Sequence, residues 1–264
     1  MNLMPDNFYG GLDFGTSGAR ISIIDRNKEL VFSHSVNYLC SFKNPDSWIN
    51  SCEKLLYSLP DEVKSNLNRL SISGTSGTLS AFNLKGKPIG EAIPYDQACT
   101  EHKPLLESLT SGEDHLRTPY SSLAKALNLI EKYGTDILLR HQSDWITGWF
   151  LKDWTHGEEG NNIKLGWNLI EESWPKSYLN TSWQKCLPQI IKSGKILGQV
   201  NIDLAERFNL NKKLILISGT TDSNASLIAA GLGKEDGLTV LGTTIVVKKI
   251  IEKPIKTEEL QPIE

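Results

Sequence analysis

The chain lacks the marks of several protein classes. Its four cysteines, Cys40, Cys52, Cys99 and Cys186, are scattered, with no Cys-x-x-Cys and no histidine pair nearby. That spacing argues against a zinc ribbon or a disulfide framework and for four free thiols. The histidines, His34, His102, His115, His141 and His156, make no ligand spacing, so no metal site is assigned to them. No Lys/Arg block interrupts a net charge of −3, which leaves no electrostatic footprint for nucleic acid or an anionic membrane. No apolar run approaches the roughly 20 residues of a membrane span. The segment Met1-Asn2-Leu3-Met4-Pro5-Asp6 has neither a basic region nor an apolar core, so no signal peptide is expected. Internal repeats and low-complexity tracts are also missing. The expectation is a cytoplasmic protein with no nucleic-acid or membrane partner.

What remains is ordinary globular composition: 264 residues, 39% hydrophobic and 22% charged. That length can bury one large α/β domain or two small ones.

Two glycine-threonine turns stand out, each on the end of an apolar run. The first is Tyr9-Gly10-Gly11-Leu12-Asp13-Phe14-Gly15-Thr16-Ser17-Gly18 and the second Leu238-Thr239-Val240-Leu241-Gly242-Thr243-Thr244-Ile245. Both read as strand, tight turn, strand, with glycines free to take left-handed conformations. Backbone N–H groups and hydroxyls at such turns form an anion-binding nest. Asp13 places a carboxylate where a magnesium ion would bridge to phosphate. A third segment, Ile217-Ser218-Gly219-Thr220-Thr221-Asp222, lies between. Together they suggest a site for a nucleotide's phosphates.

Strands are expected at residues 8–13, 19–25 and 30–38, then a helix opened by Asn44-Pro45-Asp46 and stopped by Pro60. A strand at 69–73 meets Gly74-Thr75-Ser76-Gly77 and returns through 78–83. From 101 to about 206 the pattern is helical. Pro119-Tyr120-Ser121-Ser122 and Ser143-Asp144 look like caps, and polar residues 155–162 look like a loop. Strand character returns at 214–217 and 238–247 around a helix at 224–231, completing the earlier sheet. The order suits a mixed α/β layer with its crevice at strand ends. Residues 253–264 read as a linker.

Taken together, these segments resemble the FGGY carbohydrate kinases, of the sugar-kinase, heat-shock and actin superfamily. Gly11-Leu12-Asp13-Phe14-Gly15-Thr16-Ser17 is similar to that family's first phosphate motif. Gly219-Thr220-Thr221-Asp222-Ser223 is similar to the segment with its catalytic aspartate, and Leu241-Gly242-Thr243-Thr244 to its second phosphate motif. Ile72-Ser73-Gly74-Thr75-Ser76-Gly77-Thr78-Leu79, Ser143-Asp144-Trp145 and Asn161-Asn162-Ile163-Lys164-Leu165-Gly166-Trp167 resemble a cyanobacterial and plant branch acting on ketopentoses. The resemblance covers residues 9–248. It implies a ribonuclease-H-like domain at 1–248 with a mixed five-stranded sheet flanked by helices, and a linker or the start of a second domain at 249–264. The resemblance also implies a second domain, source of most of the adenosine pocket, which is expected to be missing from this chain. In Tyr95-Asp96-Gln97-Ala98 the chain departs from the family, which usually has arginine where Ala98 stands, so no local ion pair is expected for Asp96.

The implied activity is ATP- and magnesium-dependent phosphorylation of a sugar, best guessed as ribulose or xylulose. Asp222 would be the general base and also touch the sugar; its plain alternative is a cap on the helix near Asn224. Asp13 would anchor magnesium, or else bond its own backbone as a turn aspartate. Gly15, Thr16, Ser17, Gly242, Thr243 and Thr244 would cradle phosphates, the alternative being ordinary hairpin chemistry. Thr75, Ser76 and Gly77 offer hydroxyls and amides to a polyol, or form a simple ST-turn. Trp145 is read as core rather than a sugar platform. Lys125 matches a lysine common in the family's helix and is read as solvated surface without a role. The partners implied are a sugar, ATP and a separately encoded second half. The rival readings are a non-catalytic sugar-binding or regulatory half-kinase and, less well matched, an acyl-phosphate-forming kinase.

Overall fold

The computed structural model describes residues 7–110, 114–233, 236–241 and 245–252. The expected opening meander forms as β1 (Phe8–Phe14), β2 (Gly18–Ile24) and β3 (Leu30–Asn37), paired antiparallel. Period-2 alternation drives it, with Leu12, Ile21 and Ile23 buried on one face and Gly11, Arg20 and Ser22 on the other.

Asn44 caps α1 (Pro45–Ser58), its side chain accepting a hydrogen bond from the Asp46 amide. The short α2 (Asp61–Asn66) leads into β4 (Leu67–Gly74), parallel to β1. After β4 the chain leaves the sheet. β5 (Leu79–Phe82) pairs instead with β6 (Leu138–His141), across α3 (Lys103–Leu109) and α4 (Ser122–Tyr133). Ser121 caps α4 as expected.

The next helix, α5 (Gln142–Leu151), starts earlier than its expected cap, with His141 at the N-cap and Ser143 and Asp144 inside the first turn. Residues 155–162 are not a loop. They form β7 (His156–Glu158) and the single turn α6 (Glu159–Asn162), and Glu158, Asn161 and Asn162 are buried. β7 pairs with β8 (Gln189–Ile191). Three segments of this supposedly helical stretch are thus short strands. A fourth, β9 (Ile196–Gln199), is followed by α7 (Ile202–Phe208) and β10 (Ile215–Thr221).

β10 inserts parallel to β4 and antiparallel to β9, giving one sheet in the order β3-β2-β1-β4-β10-β9. Edge strand β9 makes it six strands rather than five. After α8 (Asp222–Ala229), β11 (Gly237–Leu241) and β12 (Ile245–Lys249) pair, among the described residues, only with each other, so these two strands do not complete the main sheet as expected. Among the described residues no helix is long and apolar enough to cross a membrane.

The main core gathers Leu12, Ile21, Leu70, Ile72 and Leu216 from the sheet with Trp48 of α1, Trp145 and Phe150 of α5 and Phe208 of α7. Trp145 lies within it as expected, stacked on Phe82 at 4.8 Å with its indole N–H on the Gly86 carbonyl.

β10 shifts register against β4 between Ile217 and Thr220, at Gly219. A Cβ there would sit 1.8 Å from the Ile72 carbonyl oxygen, so backbone would have to move. Gly219→Ala is expected to cost about 1–3 kcal/mol or more by overpacking. Urea denaturation measures it; unchanged stability would mean that the strands can part there freely.

Candidate active site

The three central parallel strands end side by side. Asp13 pairs in register with Ser73, and Ser73 with Thr220; Phe14, Gly74 and Thr221 form the next row. Asp222 follows directly as the first residue of α8. The sheet therefore brings Asp13, residues 73–77 and Asp222 to one rim, the usual ligand crevice of open α/β sheets.

Thr221, not Asp222, caps α8: its hydroxyl accepts the Asn224 amide at 3.2 Å. That removes the capping alternative for Asp222. Its carboxylate accepts the Ser223 amide at 2.7 Å and faces the Ser76 backbone. Burial raises its pKa above the ordinary aspartate value and the Asp13 charge adds to the rise, while the two amides and the Lys164 charge oppose it.

Asp13 is half-exposed. It accepts the Ser73 hydroxyl at 3.0 Å and lies 3.9 Å from the Arg20 guanidinium. Arg20 was not singled out in the sequence. Its signal was the hairpin register, which sets Asp13 opposite Arg20 across the first turn.

In that turn the Gly15 amide bonds the Gly18 carbonyl at 2.9 Å, and Thr16 and Ser17 are exposed. Neither Gly15 nor Gly18 takes a positive φ, contrary to the left-handed expectation. Gly18 is needed for room, because a Cβ would sit 2.2 Å from the Val36 carbonyl oxygen. Tyr38 braces the turn, its hydroxyl donating to the Gly15 carbonyl at 2.9 Å. Gly242, Thr243 and Thr244 lie outside the described residues. The strand after them is tied to α8 through Lys248, whose ammonium donates to the Ser223 carbonyl at 2.8 Å and to the Ser223 hydroxyl.

Thr75, Ser76 and Gly77 form a buried turn, with Gly77 at φ +78°. The Thr75 amide and hydroxyl both donate to Gln142 Oε1, at 3.0 and 2.9 Å, so Thr75 shapes the turn. Ser76 Oγ and Gln142 Nε2 are buried and have no hydrogen-bond partner among the described residues. Two unsatisfied polar groups at the same turn suit a ligand rich in hydroxyls. Lys164 packs against Gly77, its ammonium 3.4 Å from the Ser76 carbonyl. Asp96 is exposed in its turn.

Lys125 corrects the sequence reading outright. It is fully buried, and its ammonium donates to the carbonyls of Gly77 and Tyr95, both at 3.1 Å, and of Tyr120 at 2.6 Å. Behind the turn, Asp144 accepts the Glu158 amide at 2.9 Å and the Asn162 amide group at 3.1 Å. Glu158 in turn accepts the Gly160 and Asn161 amides at 2.7 and 2.8 Å and the Ser193 hydroxyl at 2.6 Å. Burial raises its pKa.

Among the described residues no three His, Cys, Asp or Glu side chains gather to hold a metal directly. The pair Asp13 and Asp222 instead suits a hydrated magnesium ion, which takes one or two carboxylates and keeps several waters. The mutual repulsion of the two carboxylates, part of the rise at Asp222, is what a cation would relieve.

This architecture is a mixed α/β domain with a ribonuclease-H-like sheet flanked by helices. No family model matches the chain. It is 22% identical to a xylulose kinase of Haemophilus influenzae over 285 residues, 94% of this chain and 57% of that protein. A ligand-bound xylulose kinase from Lactobacillus acidophilus shares its fold with a TM-score of 0.79 at 15% identity, over 96% of this chain and 56% of that one. For a Plasmodium falciparum glycerol kinase solved with ADP the TM-score is 0.77 at 16% identity, over 92% and 54%. The chain spans little more than half the length of these proteins.

Proposed function

We propose that the chain is the sugar-binding and catalytic domain, residues 1–248, of an ATP-dependent carbohydrate kinase of the FGGY type, acting in the cytoplasm on a ketopentose, ribulose or xylulose. One observation carries the reading: a partly buried Asp222 carboxylate at the end of β10, opposite Asp13 and against the Ser76 turn. The fold of xylulose kinases, and of a glycerol kinase holding ADP, supports it.

Asp222 accepts the proton of the acceptor hydroxyl as its oxygen bonds to the γ-phosphorus and the bond to the ADP oxygen breaks. Ser76 Oγ and Gln142 Nε2 orient the sugar. Gly15, Thr16 and Ser17, with Gly242, Thr243 and Thr244, hold phosphates, and Arg20 adds charge beside them. Asp13, fixed by Ser73, would hold magnesium, which would neutralise phosphate charge when bound. A second kinase domain is the partner. Its support is an open sheet face at Tyr9, Gly11 and Asp13, together with exposed Ile228 and Leu241.

The test separates the two ligands. Asp13→Ala is expected to weaken magnesium-dependent ATP binding while ketopentose affinity stays within about threefold, because Asp13 meets sugar only through the nucleotide. Calorimetric titration of each ligand decides it. Lost sugar binding with unchanged nucleotide affinity would reverse the roles. Sugar binding with no nucleotide binding by the unaltered protein would favour a non-catalytic half-kinase.

A further inference from the structure

Lys125 is a charged side chain with no contact to water, placed under the turn that carries Ser76. Burying an ammonium is costly unless its donors are satisfied. Here three donors meet three carbonyls, of Gly77, Tyr95 and Tyr120, each on a different segment. A hydrophobic side chain would fill the same space without that cost. Gly77 lies in a turn whose backbone closing bond, Thr78 amide to Thr75 carbonyl, is long at 3.5 Å; the Thr75 and Thr78 hydroxyls, 2.8 Å apart, and Gln142 brace its first half, and Lys125 holds the Gly77 carbonyl. Above the turn, the Asp222 carboxylate faces the Ser76 backbone. The Gly77 and Ser76 turn thus lies between Lys125 and Asp222.

We propose that Lys125 is a positioning residue for the acceptor site: its ammonium pulls the Gly77 carbonyl inward and so holds the unpartnered Ser76 hydroxyl toward the sugar. This rests on the assignment of the 75–77 turn to sugar. The Lys125 ammonium bonds the Gly77 carbonyl in the turn assigned to sugar, so its effect is expected to fall on sugar more than on nucleotide.

The experiment compares Lys125→Met with Ser122→Ala, which alters another buried group of α4, the hydroxyl bonded to His141 at 2.9 Å. D-xylulose, D-ribulose and Mg·ATP are titrated separately against each folded variant, and amide hydrogen exchange is followed at residues 75–78. Lys125→Met is expected to weaken sugar binding about 10–100-fold, as a buried acceptor set losing its charged donor does. ATP affinity should stay within about threefold, and exchange at 75–78 should rise selectively. Ser122→Ala should do none of this. Sugar affinity and exchange unchanged from the unaltered protein would overturn the proposal, as would equal losses for sugar and nucleotide. If Lys125→Met does not fold, Lys125→Gln, which keeps one donor, replaces it; failure of both to fold would make Lys125 a general folding determinant and end the proposal. If the unaltered protein binds neither sugar, the sugar reading fails, and exchange at 75–78 still decides whether Lys125 holds the turn.

Discussion

Asp222→Asn is expected to abolish most turnover, by about 10²–10⁴-fold, in the active form that contains this domain, while leaving the fold at least as stable. The amide oxygen of asparagine can still accept the Ser223 amide that the carboxylate accepts now. What disappears is basicity. The stability half of the prediction follows from the sign of the pKa shift. A carboxyl whose folded pKa lies above its unfolded value disfavours folding once both states ionise, and regains that stability as pH falls. Removing the charge at neutral pH removes the penalty from burial and from Asp13. A purely structural aspartate would behave the opposite way, losing stability with little change in rate. Steady-state kinetics and a thermal melt on the same preparation separate the two; near-normal kcat, or a clear drop in Tm, would sink the assignment.

The second large effect concerns the chain by itself. Sugar-dependent ADP release from the isolated 264-residue chain is expected to be about 10³-fold or more below that of the chain supplied with a second half. Closure over aligned reactants supplies several kcal/mol of barrier lowering, and each 1.36 kcal/mol is a factor of ten. Here the rim is open: Asp13 is half-exposed, Thr16 and Ser17 face solvent, and Leu241 and Val247 of the terminal hairpin are 76% and 71% exposed. In such a hydrated site each charge contact is screened. A coupled ADP-release assay with ribulose, xylulose and glycerol, with and without the separately expressed second half, provides the measurement. Robust release from the chain alone would refute the need for a partner. Activity only on mixing would establish a split kinase.

The local chemistry of this chain was largely legible, and its long-range packing was not. Asn44 and Ser121 announced their helices because a cap is a contact over two or three residues. The opening meander was written in alternation, and the strand-end placement of Asp13 and Asp222 in the residues around them. The site's supports escaped for a different reason. Gln142 and Lys125 act across more than 45 positions, on Thr75 and Gly77, and nothing in their neighbourhood shows that a polar side chain is buried. Residues 155–162 looked like a loop because they are polar, yet Glu158 and Asn162 spend that polarity on buried hydrogen bonds. β9, four residues long, is too short for periodicity to register. The terminal hairpin has correct strand character but pairs only with itself, a choice of partner that sequence pattern leaves open.

The strand order also fixes when the rim can exist. β1 must wait for β4, and β4 receives β10 only after about 140 further residues, which form most of the helices. Pairings of such sequence separation form slowly, since loop closure precedes their reward. During synthesis, Asp222 therefore joins Asp13 only after β10 has emerged and paired with β4. Any ligand that needs both carboxylates would bind only once that long-range pairing is made, and would report on it as a clock reports on an interval.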